Sequence, residues 1–378
     1  MNRNHGTTIR WMGAVLILAL AGAMTLPAQR TGPITDGPRR VPGPTAPPPE
    51  SREELPPVQT RQKQDVPPSE AVFTSDTNLV TVDIAVVDNN GNFIPNIPPG
   101  NFQILEDGTP QQIVSFGQSQ APMTVAIVIE FSNLYQSYYT ESWYQTLTAT
   151  YGFVDTLKPE DWVAVVAYDL RPEILSDFTQ DRRETQAALQ RLNIAAYSES
   201  NLFDALTDTI ERMKDIEGRK SIVLISSGID TFSKLTFGKT RKIVQEGGVT
   251  IYAIGMMQAL REYYDARGYL GPMARMDFLQ ADNQLRTFAK ETGGIAFFPR
   301  FYGEFPSIYQ AIQYSMRNQY TAAYSPTNQK KDGSWREIKV RLVDPKTNKD
   351  LRVVNEKGKN VKYQVLAKAG YNAPHEVE

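Results

Sequence analysis

The hydrophobic pattern divides the chain after residue 78 into three parts. Residues 79–87, 101–106 and 112–116 alternate apolar and polar side chains, which is typical of strands with one face in a core. From residue 123 to residue 317, long apolar runs alternate with segments of helical period. The strand pattern then returns, so the sequence predicts two β-rich segments around a middle part of mixed type.

The middle part is predicted to be a doubly wound, mostly parallel sheet. Residues 125–129 are continuously apolar, as strands buried on both faces are. The other predicted strands are 162–168, 222–226, 249–255 and 295–298, with an edge strand at 174–178. The predicted helices are 138–157, 182–191, 201–217, 236–246, 277–291 and 304–317. Such alternation indicates βαβ units and an α/β fold.

The two β-rich segments are predicted to form one small antiparallel β-sandwich. Neither segment alone supplies enough strands for a stable sheet. The later strands are predicted at 319–324, 335–343 and 362–367. We therefore expect residues 121–317 to be inserted between the two parts of the sandwich, 73–120 and 318–372, with a tail at 373–378.

Residues 1–28 have the pattern of a secretory signal peptide. An Arg-containing start precedes an apolar run from Trp11 to Leu26, and small residues permit cleavage after Ala23 or Ala28. This run of about 16 residues is shorter than the roughly 20 that a membrane span needs. The sequence predicts a secreted or periplasmic protein without an integral membrane span after cleavage, and an inner-membrane signal anchor is the alternative.

Residues 29–72 are predicted to be a disordered, Pro-rich linker. Proline occupies 11 of these 44 positions and no residue is aromatic. Such a composition cannot bury enough apolar surface to offset the entropy of ordering. A proline-rich ligand for a partner domain is the alternative.

Composition excludes several kinds of chemistry. The 378 residues include no Cys and only two His, one in the signal peptide and one near the end of the chain. Disulfides, Ser-His-Asp triads and Cys or His metal sites are therefore excluded from the folded part. The 40 basic and 42 acidic side chains leave a net charge of -2, which favours no binding to nucleic acid.

Three stretches resemble a von Willebrand factor type A (VWFA) domain. They are Glu130-Phe131-Ser132-Asn133-Leu134, Ser200-Asn201-Leu202-Phe203-Asp204, and Ser226-Ser227-Gly228-Ile229-Asp230. With further motifs at 102–108, 291–298 and 319–326, residues 78–371 are similar to the secreted VWFA-related family typical of Acidobacteria. The resemblance implies a type A fold and a role in binding or adhesion rather than catalysis.

The resemblance also implies a metal site, but one that has degenerated. Type A domains hold Mg²⁺ or Mn²⁺ through a D-x-S-x-S loop, a Thr and a second Asp. The matching positions here are Glu130, Ser132, Leu134, Ser200 and Ser227, and Asp230 follows three residues later. Because Mg²⁺ demands near-octahedral oxygen geometry, the longer Glu, the Leu and the uncharged Ser weaken the site. We expect no cofactor, and a weak Mg²⁺ or Ca²⁺ site with metal-dependent adhesion is the alternative.

Aromatic and arginine residues suggest a second site on the same rim of the sheet. Connections that leave the carboxyl ends of parallel strands share one edge. These residues are Phe131, Tyr135, Tyr138 and Tyr139 after the first core strand, and Arg261, Tyr263, Tyr264, Arg267 and Tyr269 in the connection 256–276. Tyr and Arg are enriched in binding hot spots. The sequence therefore predicts a protein partner in the envelope or extracellular space, although a flexible insertion is the alternative for 256–276.

Two further hypotheses concern Glu130. An arginine from the connection 256–276 is a candidate counter-ion that would replace the missing metal. A hydrolase that uses Glu130 and Asp230 is a remote alternative, because nothing in the sequence sets the carboxylate separation of about 5–9.5 Å that glycoside hydrolysis needs.

Overall fold

The computed structural model describes residues 79–118, 121–132, 140–192, 197–354 and 358–375. The predictions for the signal peptide and the Pro-rich linker lie outside these residues. Within the described ranges, no helix combines the length and the apolar character that crossing a membrane requires.

Along the chain, β-rich segments precede and follow a middle part in which strands and helices alternate. The strands are β1 (Val80–Asp88), β2 (Phe102–Glu106), β3 (Thr109–Gln111), β4 (Ile113–Gln118), β5 (Met123–Glu130), β6 (Trp162–Tyr168), β7 (Pro172–Thr179), β8 (Arg219–Ser226), β9 (Thr250–Gly255), β10 (Ala296–Phe297), β11 (Tyr320–Tyr324), β12 (Trp335–Leu342), β13 (Val353–Val354), β14 (Asn360–Val361), β15 (Tyr363–Ala367) and β16 (Gly370–Asn372). The helices are α1 (Thr140–Thr156), α2 (Arg182–Gln190), α3 (Leu202–Met213), α4 (Phe237–Glu246), α5 (Gln258–Ala266), α6 (Pro272–Glu291) and α7 (Phe305–Asn318).

The middle part forms a six-stranded sheet in the order β10-β9-β8-β5-β6-β7. β5 is parallel to β6 on one side and to β8 on the other, and only the edge strand β7 runs antiparallel to its neighbour in this sheet. The chain passes from β5 to β6 on one side of β5 and later forms β8 on its other side. The carboxyl end of β5 is therefore a topological switch point. The predicted doubly wound sheet is confirmed.

Alternate residues of β5 enter two separate cores. Val125, Ile127 and Ile129 pack in the core beneath α1, α2 and α7, whereas Ala126 and Val128 pack in the core beneath α3, α4 and α6. All eight residues of β5 are buried, which explains why its sequence is apolar without a period of two.

Strands from both sides of this core share two antiparallel sheets, in the orders β15-β1-β11-β4 and β16-β12-β2-β3. β1 pairs with β11 and β15, and β2 pairs with β12. The inner faces form one core that contains Val82, Ile84, Ile104, Tyr320 and Ile338. The α/β part is thus inserted in an antiparallel β-sandwich, as predicted.

Two local predictions need correction. The strand predicted at 112–116 is β4, which pairs with β11, and the short strand β3 before it, which pairs with β2 in the other sheet, was not predicted. The connection 256–276 contains α5 and the first turns of α6 rather than an irregular loop. α5 was missed because it buries no residue and therefore shows no apolar stripe facing a core.

Candidate functional site

The first candidate site lies at the switch point, where β5 ends at Glu130. β8 ends beside it at Ser226, and β6 ends on its other side at Tyr168. The structure therefore brings Glu130 and Ser227 together in one crevice at the carboxyl edge of the sheet, where ligands bind in open α/β sheets.

The carboxylate of Glu130 is enclosed by hydrogen-bond donors, and the residue is only 3% exposed. Its Oε2 atom accepts hydrogen bonds from the Ser227 N–H at 2.6 Å and from the Ser226 hydroxyl at 3.2 Å. Its Oε1 atom accepts one from the Ser132 hydroxyl at 3.1 Å. The Tyr168 hydroxyl lies 3.5 Å from Oε2 and donates to the Ser226 hydroxyl at 2.7 Å. Both carboxylate oxygens are therefore used within the protein.

Burial changes the electrostatics of the crevice. Desolvation raises the pKa of Glu130, and the hydrogen bonds from Ser227, Ser132 and Ser226 oppose that rise. Desolvation also raises the pKa of Tyr168 well above its usual value, with a further contribution from the charge of Glu130. The charged form of Glu130 is thus disfavoured, which is the effect of burying a carboxylate without a counter-ion.

The arginines expected as counter-ions are paired elsewhere. Arg261 Nη1 lies 2.6 Å from Asp282 Oδ2, and Arg275 lies 2.7 Å from Asp265. The Arg267 guanidinium stacks 3.6 Å from the ring centre of Tyr263. The counter-ion hypothesis is therefore wrong, because folding of 256–276 into helices gives these arginines local partners.

Ser200 and Asp230 lie at the start of α3. The Ser200 carbonyl accepts a hydrogen bond from the Thr231 N–H at 2.8 Å, and its buried hydroxyl has no hydrogen-bond partner. Asp230 Oδ1 accepts hydrogen bonds from the Phe203 N–H at 3.1 Å and from the Ser233 hydroxyl at 2.5 Å. The Asp230 carboxylate therefore caps α3.

These residues do not fit a Mg²⁺ ion. Both oxygens of Glu130 accept hydrogen bonds from the protein, and Asp230 Oδ1 is bonded to the start of α3. In the described part of the chain, no group of three or more acidic or imidazole residues is placed to hold a metal. A metal ion that prefers six oxygens in rigid geometry would have to break several of these hydrogen bonds.

The predicted rim residues differ in accessibility. Tyr135, Tyr138 and Tyr139 lie outside the described residues. Phe131 is half-buried against Trp143, with ring centres 5.2 Å apart, so it belongs to the core beneath α1 rather than to an exposed rim. That Phe131 contacts a partner stays a prediction.

α5 and the first turns of α6 form a helical hairpin that exposes aromatic and apolar side chains. Tyr263 is 53% exposed and Tyr269 is 71% exposed, while Tyr264 is half-buried between them. Met273 and Met276 are 80% and 70% exposed, and Leu279 continues the stripe at helical spacing. We call residues 258–280 the rim hairpin.

Gly228 lies where the crevice contacts α6. Its φ of +77° is in the left-handed region, and a Cβ atom there would lie 2.7 Å from the Ala281 carbonyl oxygen. The loop after β8 and the helix can approach this closely because the residue is Gly. The rim hairpin therefore ends directly beside the crevice loop.

Sequence reasoning missed two groups of residues. Tyr168 and Ser226 both contact the Glu130 cluster, and the ends of β6 and β8 beside β5 were the available signal. Met273, Met276 and Leu279 extend the exposed surface, but their spacing of three is also typical of a helix face in a core.

Comparison with known proteins identifies the type of domain. Residues 125–229 match the profile of the von Willebrand factor type A domain family. This range contains Glu130, Ser132, Ser200 and Ser227, and the chain is thus VWFA-related in this part. No curated protein matches the chain.

Solved structures with a similar fold come from several organisms. Proximal thread matrix protein 1 of the mussel byssus is 13% identical with a TM-score of 0.40, covering 52% of this chain and 48% of its own. The vWF domain of a type V pili tip protein from Porphyromonas gingivalis is 15% identical with a TM-score of 0.40, covering 52% and 97%. A von Willebrand factor type A protein from Catenulispora acidiphila is 12% identical with a TM-score of 0.41, covering 79% and 75%. The match thus spans about half the length of the mussel protein.

Proposed function

We propose that this protein is an exported, non-enzymatic binding module that recognises a protein partner through the rim hairpin, beside a degenerate type A metal site. The observation that carries this proposal is the exposure of Tyr263, Tyr269, Met273 and Met276 next to the crevice. Clustered exposed apolar side chains mark interaction surfaces.

The chemistry of the rim hairpin suits a protein partner. Tyrosine offers a large, rigid contact surface with a polar end, and methionine adapts its shape to a partner. The Arg267 guanidinium stacked on Tyr263 adds a cation at the same surface. Together these side chains supply the residue types that dominate binding energy at protein interfaces.

The crevice supports a binding role better than a hydrolytic one. Glu130 is buried and both of its oxygens accept hydrogen bonds from the protein, while Asp230 caps a helix. A general acid and a nucleophile must each reach the substrate, and a buried, fully bonded carboxylate does not.

Metal-dependent adhesion is the second candidate function, and one observation favours it. The buried Ser200 hydroxyl lacks a hydrogen-bond partner at the position where the resemblance expects a metal-ligating Thr. A cation of more flexible coordination than Mg²⁺, such as Ca²⁺, held by Ser200, Ser132 and Glu130 would satisfy it. Thermal stability of the folded protein with and without divalent metal separates the two candidates.

Export is part of the proposal and rests on the signal-peptide pattern of residues 1–28. The mature protein should begin after Ala23 or Ala28 and be recovered outside the cytoplasm. Intact-mass analysis that finds Met1 retained in a membrane fraction would instead support a signal anchor.

Site-specific photo-crosslinking tests the proposed surface. A photoreactive amino acid placed at Tyr269 or Met273 should yield a discrete adduct with a protein from the envelope fraction of the producing cells. The matched control is Val114 on β4, which is 54% exposed but lies in the β-sandwich. Adducts formed equally well from Val114, or from neither rim position, would contradict the proposal.

A further inference from the structure

A large cleft lies where the β-sandwich meets the α/β part, and it shares no residue with the rim hairpin. Its volume is about 1170 Å³. It is lined by the turn at 88–91, by α6, by β10, by β12 and by β15. The cleft exceeds the roughly 300–1,000 Å³ of a typical small-molecule pocket, so it has room for a segment of polymer.

Two sheet edges line this cleft. β10 is the last strand of the six-stranded sheet, and β15 is the last strand of a four-stranded sheet. Residues of both strands contribute to the lining. The outer side of an edge strand carries backbone N–H and C=O groups that can pair with an added strand. The cleft therefore offers two templates for an extended peptide.

The chain beyond β15 already uses this kind of pairing. The Ala369 N–H donates to the Glu291 carbonyl at 2.8 Å, and Thr292 and Lys368 form an isolated antiparallel bridge. Gly293, with φ +80°, permits the approach, because a Cβ atom there would lie 3.0 Å from the carbonyl carbon of Ala367. Backbone pairing across the junction thus occurs at one end of the cleft.

The cleft carries cations without acidic partners. Arg286 and Lys290 on α6 and Lys339 on β12 line it, all three are exposed, and none forms an ion pair among the described residues. Arg286 instead stacks 4.0 Å from the ring centre of Phe298.

The acidic residues of the cleft are already occupied. Asp88 accepts hydrogen bonds from the N–H groups of Asn90 and Asn92 within its own turn. Glu291 pairs with Arg241 through two nitrogens of the guanidinium. The net charge that faces an incoming ligand is therefore positive.

We propose that this cleft is a second binding site, which takes an extended acidic peptide segment of a protein partner by adding it as a strand to β10 or β15. Strand edges supply main-chain hydrogen bonds, and Arg286, Lys290 and Lys339 select acidic side chains. The proposal does not depend on the rim hairpin.

Fluorescence anisotropy with synthetic peptides tests this proposal on the whole protein. The probe is a labelled peptide of alternating Glu and Val, compared with a Lys-Val peptide and with a Glu-Val peptide N-methylated at alternate residues. The acidic peptide should bind, while the basic peptide and the N-methylated peptide should not. Equal binding of the N-methylated peptide would overturn strand addition.

Charge reversal locates the site. Arg286→Glu with Lys290→Glu should weaken binding of the acidic peptide by about tenfold or more, since like charges then face each other. The matched control, Lys330→Glu with Lys331→Glu, reverses two exposed charges outside the cleft and should change binding less than about twofold. Equal effects of the two pairs would overturn the assignment, as would heparin binding tighter than the peptide, which would indicate a polysaccharide site.

Discussion

The crevice at Glu130 and the rim hairpin are adjacent but have opposite character. The crevice is polar, buried and internally hydrogen-bonded, with Glu130 only 3% exposed. The rim hairpin is aromatic and apolar, and Tyr269 and Met273 project into solvent. In the crevice the polar side chains hydrogen-bond to each other, whereas in the rim hairpin the apolar and aromatic side chains are exposed to solvent.

This difference underlies the proposed function, in which the rim hairpin rather than the crevice binds the partner. The topology still places Glu130 and Ser227 at the switch point, but their hydrogen bonds close the crevice. The neighbouring hairpin offers the exposed surface instead. We therefore propose a structural role for the crevice and a recognition role for the rim hairpin.

Gly228→Ala should have the largest effect, because it forces apart the contact between the crevice loop and α6. A left-handed Ala costs about 1–2 kcal/mol, and the added Cβ clashes with the Ala281 carbonyl, so we expect a total loss of about 3 kcal/mol. The matched control is Gly108→Ala, where φ is +79° but nothing lies within 4 Å of the added atom. Chemical denaturation measures both, and equal losses would show that the two regions are not tightly packed together.

Glu130→Ala should destabilise the fold by about 2–3 kcal/mol, because it leaves the Ser227 N–H and two hydroxyls without an acceptor. Glu130→Gln keeps an acceptor oxygen and should cost less than half as much. Urea unfolding compares the two variants. If Glu130→Ala is neutral, the crevice does not have the structural role proposed here.

The pH dependence of stability also tests the burial of Glu130. Burial raises the folded-state pKa of Glu130 above the usual 4.5, so the folded state binds this proton more tightly than the unfolded state. The contribution of Glu130 to stability is therefore present below pH 4.5 and is lost as the pH rises towards the raised pKa. Relative to Glu130→Gln, the wild type should lose stability as the pH rises above about 4.5. A difference that stays constant with pH would contradict the raised pKa.

Divalent metal should have the smallest effect. Millimolar Mg²⁺ or Ca²⁺ should leave the melting temperature of the wild type unchanged, whereas a ligand at 100 times its Kd would stabilise by about 2.7 kcal/mol. Differential scanning fluorimetry with and without EDTA measures this. A rise of several degrees that Glu130→Ala abolishes would favour metal-dependent adhesion instead.

Much of the fold could be predicted because burial leaves a direct trace in the sequence. The apolar run of β5 indicated a strand buried on both faces, and strand alternation with helices indicated the parallel sheet. The convergence of Glu130 and Ser227 followed from topology alone, since parallel strands end at one edge.

The remaining features depend on contacts that sequence periodicity does not encode. α5 buries no side chain and so gave no apolar stripe, and the pairing of Arg261 with Asp282 arises only once α5 packs beside α6. Asp230 and Ser227 are close in sequence, yet Asp230 caps α3 whereas the Ser227 N–H bonds Glu130. Two residues three positions apart in one loop therefore have different hydrogen-bond partners.

In the proposed function, partner recognition uses the rim hairpin and does not need a metal. The most direct test is the yield of the photo-crosslink from position 269, measured in EDTA and in millimolar Mg²⁺, in the wild-type background and with Glu130→Gln. The same adduct is expected at similar yield in all four conditions. Loss of the adduct in EDTA, with recovery in Mg²⁺ that Glu130→Gln prevents, would show that recognition needs the metal.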